Sequence, residues 1–190
     1  MSSGKYFSQG GEFLKYKSDI SEKSEKEIFW EQKRAEIEKI TDRLGKGIDE
    51  KIKEAVTAFS AHEFPTSQSC EGHVGDEEEG KSFPWVEIDA PEPENWQENE
   101  EKKKEWQMEN LKQQKRVIDL LEEFYRARQT AFDARLHLRN IGAFGAFRVQ
   151  STGAEIMDIL PEEEQKKKLE LYWKEIDEFS AFLKEKYFSK

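Results

Sequence analysis

The stretch that decides the fold is Ala134-Arg135-Leu136-His137-Leu138-Arg139-Asn140, followed by Gly142-Ala143-Phe144-Gly145 and then Phe147-Arg148-Val149-Gln150-Ser151. Leu136 and Leu138 alternate with Arg135, His137 and Arg139. Phe147 and Val149 alternate with Arg148 and Gln150. A period of two is that of a strand with one face in a core. Gly142 and Gly145, three positions apart, supply the turn, so residues 134–151 read as a β-hairpin.

Working outward from the hairpin, the pattern turns helical on both sides. Pro161 followed by three glutamates opens a C-terminal helix, and Leu169, Tyr172, Ile176, Phe179, Leu183 and Tyr187 form its buried stripe. Upstream, a helix is predicted from about Asn95 or Trp96 to Arg128, with Met108, Leu111, Ile118, Leu121 and Tyr125 on its inner face. Phe83-Pro84-Trp85-Val86-Glu87-Ile88-Asp89 reads as a short strand with Pro84 at its start or on an edge, and a linker lies near 90–95. Ile37, Ile40, Leu44, Ile48, Ile52, Val56 and Phe59 recur at helical spacing from a start near Glu22. Gly45 and Gly47 predict a kink or break near 46, after which Asp49 begins a new turn. Residues 1–21 have little periodicity and read as a loose arm, so 22–190 is taken as a single domain. The expected class is α+β: a small antiparallel sheet of three or more strands braced by three or more long amphipathic helices.

Composition narrows the function classes. The chain has 190 residues, 38% of them charged and 35% hydrophobic, with a formal net charge of −10. That balance disfavours general nucleic-acid binding, which needs lysine or arginine on phosphates. No apolar run approaches the roughly 18–20 residues that span a bilayer. The N-terminal residues lack the apolar core of a secretory signal, and one cysteine permits no intrachain disulfide, so the expected location is cytoplasmic. Five of the eight arginines (Arg126, Arg128, Arg135, Arg139, Arg148) fall between 126 and 148, where Asp133 is the only acid. Arginine offers a rigid fork of donors for carboxylate or phosphate, which makes a local anion site plausible.

The richest segment chemically is Thr66-Ser67-Gln68-Ser69-Cys70-Glu71-Gly72-His73, which reads as a loop between a helix and a strand. Three readings compete for it. Cys70 and His73 have the spacing of half a zinc site, but no second pair exists, and His62, His137, Glu71 or the acidic run Asp76–Glu79 could complete it without any spacing that demands it. Cys70 could instead be a nucleophile activated by His73, although no third, orienting group is identifiable. As a binding loop, Thr66, Ser67 and Ser69 would bring hydroxyls, Glu71 a polar side chain, and Gly72 a close backbone approach with amides forming a concave nest for an anion. Met108 and the other helical apolar residues are core on this reading. Trp96 and Trp106, in a highly charged stretch, either anchor a partner or cover the sheet edge.

The same segment resembles the Thr-x-x-Ser-Cys-x-Gly element of the wybutosine-synthesising methyltransferase-like proteins. It is more similar still to the Ser-Cys-x-Gly-His segments of small uncharacterised bacterial and phage proteins. The likeness covers a minor part of the chain: Thr66, Ser69, Cys70 and Gly72 match, and His73 stands where the first family has arginine. That resemblance implies an α/β core with a site around Ser69 and Cys70, and a group-transfer reaction with S-adenosylmethionine on a modified guanosine of tRNA.

The leading expectation is therefore binding of a small anionic or nucleotide-like ligand. Thr66, Ser67, Ser69, Glu71 and Gly72 form one wall and Arg135, His137, Arg139 and Arg148 the other, with Cys70 and His73 as the candidate catalytic pair and no metal assigned. S-adenosylmethionine and a metal ion are the two cofactors in view. The alternatives are a methyltransferase-like or Cys70-dependent enzyme at the same place, and a helical interaction module that self-associates through its long helices.

Overall fold

The computed structural model describes residues 24–41, 45–75 and 80–189. The predicted N-terminal arm, Leu44 of the first apolar stripe and the acidic run Asp76–Glu79 lie outside the described residues. Helix α1 (Glu25–Ile37) begins at a capping box: the Ser24 hydroxyl accepts the Glu27 N–H, and the Glu27 carboxylate accepts the Ser24 N–H. Its Trp30 and Ile37 are buried.

The predicted break near 46 is wider than a kink. Helix α1 stops at Ile37, Thr41 bridges Gly47, a 3-10 turn covers Glu50–Ile52, and α2 (Lys53–Ala61) follows. Gly45 takes a φ of +81°, a conformation that ends helical continuity. Ile40 is consequently exposed, while Ile52, Val56 and Phe59 are buried as expected.

Four strands form one antiparallel sheet: β1 (Thr66–Cys70), β2 (Trp85–Ile88), β3 (Leu136–Asn140) and β4 (Phe147–Ser151), in the order β1-β2-β4-β3. The hairpin is β3 and β4, as the alternation predicted. Strand β1 corrects the reading of Thr66–Cys70 as a loop. Its hydroxyl-rich composition looks like a turn, but an edge strand needs a core on one side only, and polar residues on an edge deter further pairing. Pro84 sits immediately before β2, where a missing N–H breaks no ladder bond.

Alternation splits the sheet into two faces. Val86, Ile88, Leu136, Leu138, Phe147 and Val149 pack against the helices in the larger core. Their alternates Trp85, Glu87, Arg148, Gln150, His137 and Arg139 share the opposite face by direct cross-strand pairing. A smaller apolar cluster gathers where β1 ends and β2 begins, joining Cys70, Phe83 and Trp85 to Leu169 and Tyr172.

Helices α3 (Glu100–Tyr125) and α4 (Glu162–Ser189) are the long braces. Asn99 caps α3 by accepting the Glu101 and Lys102 N–H groups. Helix α4 buries its predicted stripe from Leu169 to Leu183. Helix α3 does not: Trp106, Asn110, Gln113, Val117, Leu121 and Phe124 are buried, whereas Met108, Leu111 and Ile118 face solvent. The helix is turned because Asn110, fully buried, donates to Asp89 Oδ1 and the Phe144 carbonyl and accepts the Ala90 N–H at 2.7 Å. The linker near 90–95 is thereby tied to the hairpin turn. Trp96, Trp106 and Phe144 stack together over that turn, so the two tryptophans serve an internal contact. Among the described residues, no helix is long and apolar enough to cross a membrane.

Candidate functional site

Along the free edge of the sheet runs a cleft of about 660 Å³ between β1 and the segment that joins α1 to α2. Thr66, Ser67, Ser69 and Cys70 line one side, and Lys46, Asp49, Lys81 and Arg148 bring charge to it. Ile40, Ile48, Val56 and Trp85 make its apolar surface. Of the residues picked from sequence, the structure thus brings Thr66, Ser67, Ser69, Cys70 and Arg148 to one cavity.

Arg148 reaches the cleft across two strands, and its position is fixed. Its guanidinium lies 3.8 Å from the centre of the Trp85 ring and 3.1 Å from Glu87 Oε2. Glu87 is itself buried and accepts the Ser67 hydroxyl at 3.0 Å. A bulge between Thr66 and Gln68 turns Ser67 toward this carboxylate.

The hairpin arginines of the other strand are elsewhere. Strands β2 and β4 separate β3 from β1, and three strand spacings amount to about 14 Å. Arg139 pairs with Glu155 at 3.5 Å in an exposed contact, and Arg135, just ahead of β3, stacks on Tyr125. His137 is partly buried with Nε2 unpaired, and burial pushes its pKa below the ordinary histidine value. These three residues do not face the Cys70 segment, because a sheet-wide arginine cluster in sequence becomes two edges in space.

The turn after β1 also differs from its expected role. Its three consecutive amides are all engaged internally: Glu71 N–H donates to Asp49 Oδ2, Gly72 N–H to Cys70 Sγ, and His73 N–H to the Lys81 carbonyl. They form no nest for an outside anion. Glu71 fastens the turn rather than a ligand, its carboxylate accepting the Lys51 N–H and its carbonyl the Trp173 indole N–H. Gly72, at φ +90°, is required by packing, since a Cβ there would lie 2.7 Å from Leu169 Cδ1 and 2.8 Å from the Phe83 backbone.

One partner the sequence did not offer is Asp49. It precedes the 3-10 turn, where an aspartate would be read as a cap, yet its side chain makes no cap hydrogen bond. Instead Oδ2 lies 3.3 Å from His73 Nε2, with the two side chains 15% and 17% exposed. Donor atoms of Asp49, Cys70 and His73 all lie within 4.8 Å of one another. Gly80 lies against this group, for a Cβ there would be 3.2 Å from Sγ and 3.6 Å from His73 Cδ2. Burial pushes the Cys70 thiol up; the Gly72 N–H opposes that rise, and the Asp49 and Glu71 carboxylates add to it. His62 and His137, considered as further ligands, are not members of this cluster; His62 Nε2 instead bonds the Leu183 carbonyl.

Neither a protein-family model, nor a curated protein, nor a solved structure matches the chain.

Proposed function

We propose that this protein binds a small anionic molecule in the cleft over β1. The observation that carries the reading is the charge of the lining: Lys46, Lys81 and Arg148, the last shared with Glu87 behind it, against one lining carboxylate, Asp49, in a chain of net charge −10. Local positive potential on an acidic protein draws one kind of ligand. The hydroxyls of Thr66 and Ser69 add hydrogen-bonding capacity, and Ile40, Ile48 and Val56 give a less polar end of the ligand somewhere to rest. A nucleotide-like molecule combines those two ends.

Calorimetric titration of chelator-treated protein with AMP, inorganic phosphate and S-adenosylmethionine tests this. Binding of at least one probe is expected, weakened about tenfold by Lys46→Ala or Lys81→Ala, the value of one charged hydrogen bond. Absence of binding by every probe, or binding indifferent to both lysines, would overturn it.

A second reading, thiol catalysis by Cys70, is favoured by the nearness of His73 and Asp49. The shape of the group weighs against it. In a relay the imidazole stands between thiol and carboxylate and gives each a different nitrogen. Here Nε2 faces Asp49, and the ring edge beside it, carrying Cδ2, faces the same Gly80 position as Sγ. Burial, with the Asp49 and Glu71 carboxylates adding to it, also pushes the thiol up, the opposite of an activated nucleophile. Turnover that survives Cys70→Ser would close this reading.

A further inference from the structure

We propose that Asp49, Cys70 and His73 form a three-ligand zinc centre whose fourth position opens into the cleft. Three chemically different donors from two separate parts of the chain converge on one point, all within 4.8 Å. Zinc bound at about 2.0–2.1 Å to a nitrogen and an oxygen, with a tetrahedral angle between them, sets those atoms about 3.3 Å apart. The His73–Asp49 separation is 3.3 Å. A charge-assisted hydrogen bond between the same groups is usually shorter, about 2.7–2.9 Å. Drawing Sγ to its zinc distance of about 2.3 Å needs a closure of at most about 1.3 Å from the 4.8 Å limit.

The donor set selects the metal. A thiolate and an imidazole favour zinc over the hard cations magnesium and calcium, which take oxygen ligands. Three protein ligands with one open position is the arrangement of reactive rather than structural zinc.

The surroundings already hold the donors in place. Gly72 N–H donates to Sγ at 3.3 Å and Glu71 N–H donates to Asp49 Oδ2 at 3.2 Å, so two backbone amides orient two ligands before any metal arrives. Asp49, Cys70 and Gly80 all border the cleft, and Gly80 brings no side chain to it, which leaves that side for the fourth ligand. The centre stands on these three donors and not on the anion reading. Where both hold, the anion's charged group becomes the metal's fourth ligand.

The test is addition of zinc, and of cobalt as its coloured substitute, to the full-length protein stripped with chelator. One equivalent of metal is expected. Cobalt should give a thiolate charge-transfer band in the near ultraviolet and intense visible bands of a four-coordinate ion. Cys70→Ser should abolish the charge-transfer band, and His73→Asn and Asp49→Asn should each weaken zinc by about tenfold or more. Circular dichroism checks the fold of each variant. The wild type supplies a check that needs no variant, since zinc should slow alkylation of its one cysteine. Folded wild-type protein that takes up no metal would overturn the centre, as would full uptake with no thiolate band. Zinc uptake without anion binding would remove the cleft reading alone; anion binding to chelated protein without zinc uptake would remove the centre alone.

Discussion

The two edges of the sheet carry unlike chemistry in sequence, and the structure reverses what each would suggest. Strand β1 has no charged side chain, yet its edge borders a cleft with three cations, because the cations come from elsewhere: Lys46 from the segment after α1, Lys81 from the approach to β2, Arg148 from β4. Strand β3 and the residue before it contain two arginines and a histidine, yet there Arg139 pairs with Glu155 and Arg135 covers Tyr125. The lesson is that a site is made by what converges on a strand, not by what the strand itself bears.

Matched changes at the two edges should separate them, the largest first. Gly72→Ala, on the β1 side, meets Leu169 and the Phe83 backbone at a positive φ, and should lower stability by about 3 kcal/mol or more in urea unfolding. Gly142→Ala, in the β3–β4 turn, also has a positive φ but open space around it, and should lose only about 1 kcal/mol. Equal losses would mean that the turn after β1 is not packed as described.

Next come the two arginines that face each other across β3 and β4. Arg148→Ala strips a buried carboxylate, Glu87, of its cation and should destabilise by about 3 kcal/mol. Arg139→Ala removes an exposed pair and should change stability by no more than about 0.5 kcal/mol by the same measurement. A large loss at Arg139 would break the contrast between a fixed and a surface arginine.

The mildest effect concerns pH. His137 is held neutral by burial, against the pull of the Glu155 carboxylate. The fold therefore binds this proton less well than the unfolded chain, so its contribution is complete above the ordinary value of about 6.5 and is lost as pH falls below it. Melting temperature should decline between about pH 7 and pH 5, and His137→Asn should flatten part of that decline. An unchanged slope in the variant would place the titrating group elsewhere.

Much of the frame was legible in the residues. The hairpin followed from strict alternation, α4 from an unbroken apolar stripe, and β2 from its cluster of Trp85, Val86 and Ile88. Helix α3 was legible in extent but not in rotation. Period counting weighs only apolar residues, and its inner face is set by the polar Asn110 and Gln113. The candidate site was half legible. Cys70 and His73 stand out as rare residues at short spacing, whereas Asp49 is an ordinary acid 21 positions earlier, brought to them by the break between α1 and α2. In sequence it is only an aspartate at the start of a new turn, and the structure alone shows that its side chain caps nothing there. Gly72 was noticed for the wrong reason, its freedom serving Leu169 rather than a ligand.

Trp85 lies directly across from Cys70 in the β1–β2 ladder, beneath the Arg148 guanidinium and on the wall of the cleft. Trp173 donates to the Glu71 carbonyl at the turn leading to His73, while Trp96 and Trp106 stand with Phe144 at the far hairpin turn. The molecule is thus optically partitioned. Emission from the first two indoles reports on the cleft and the cysteine, and emission from the other two and from Trp30, packed on Tyr187 and Phe188, serves as an internal reference, so occupancy can be followed in unlabelled protein by light alone.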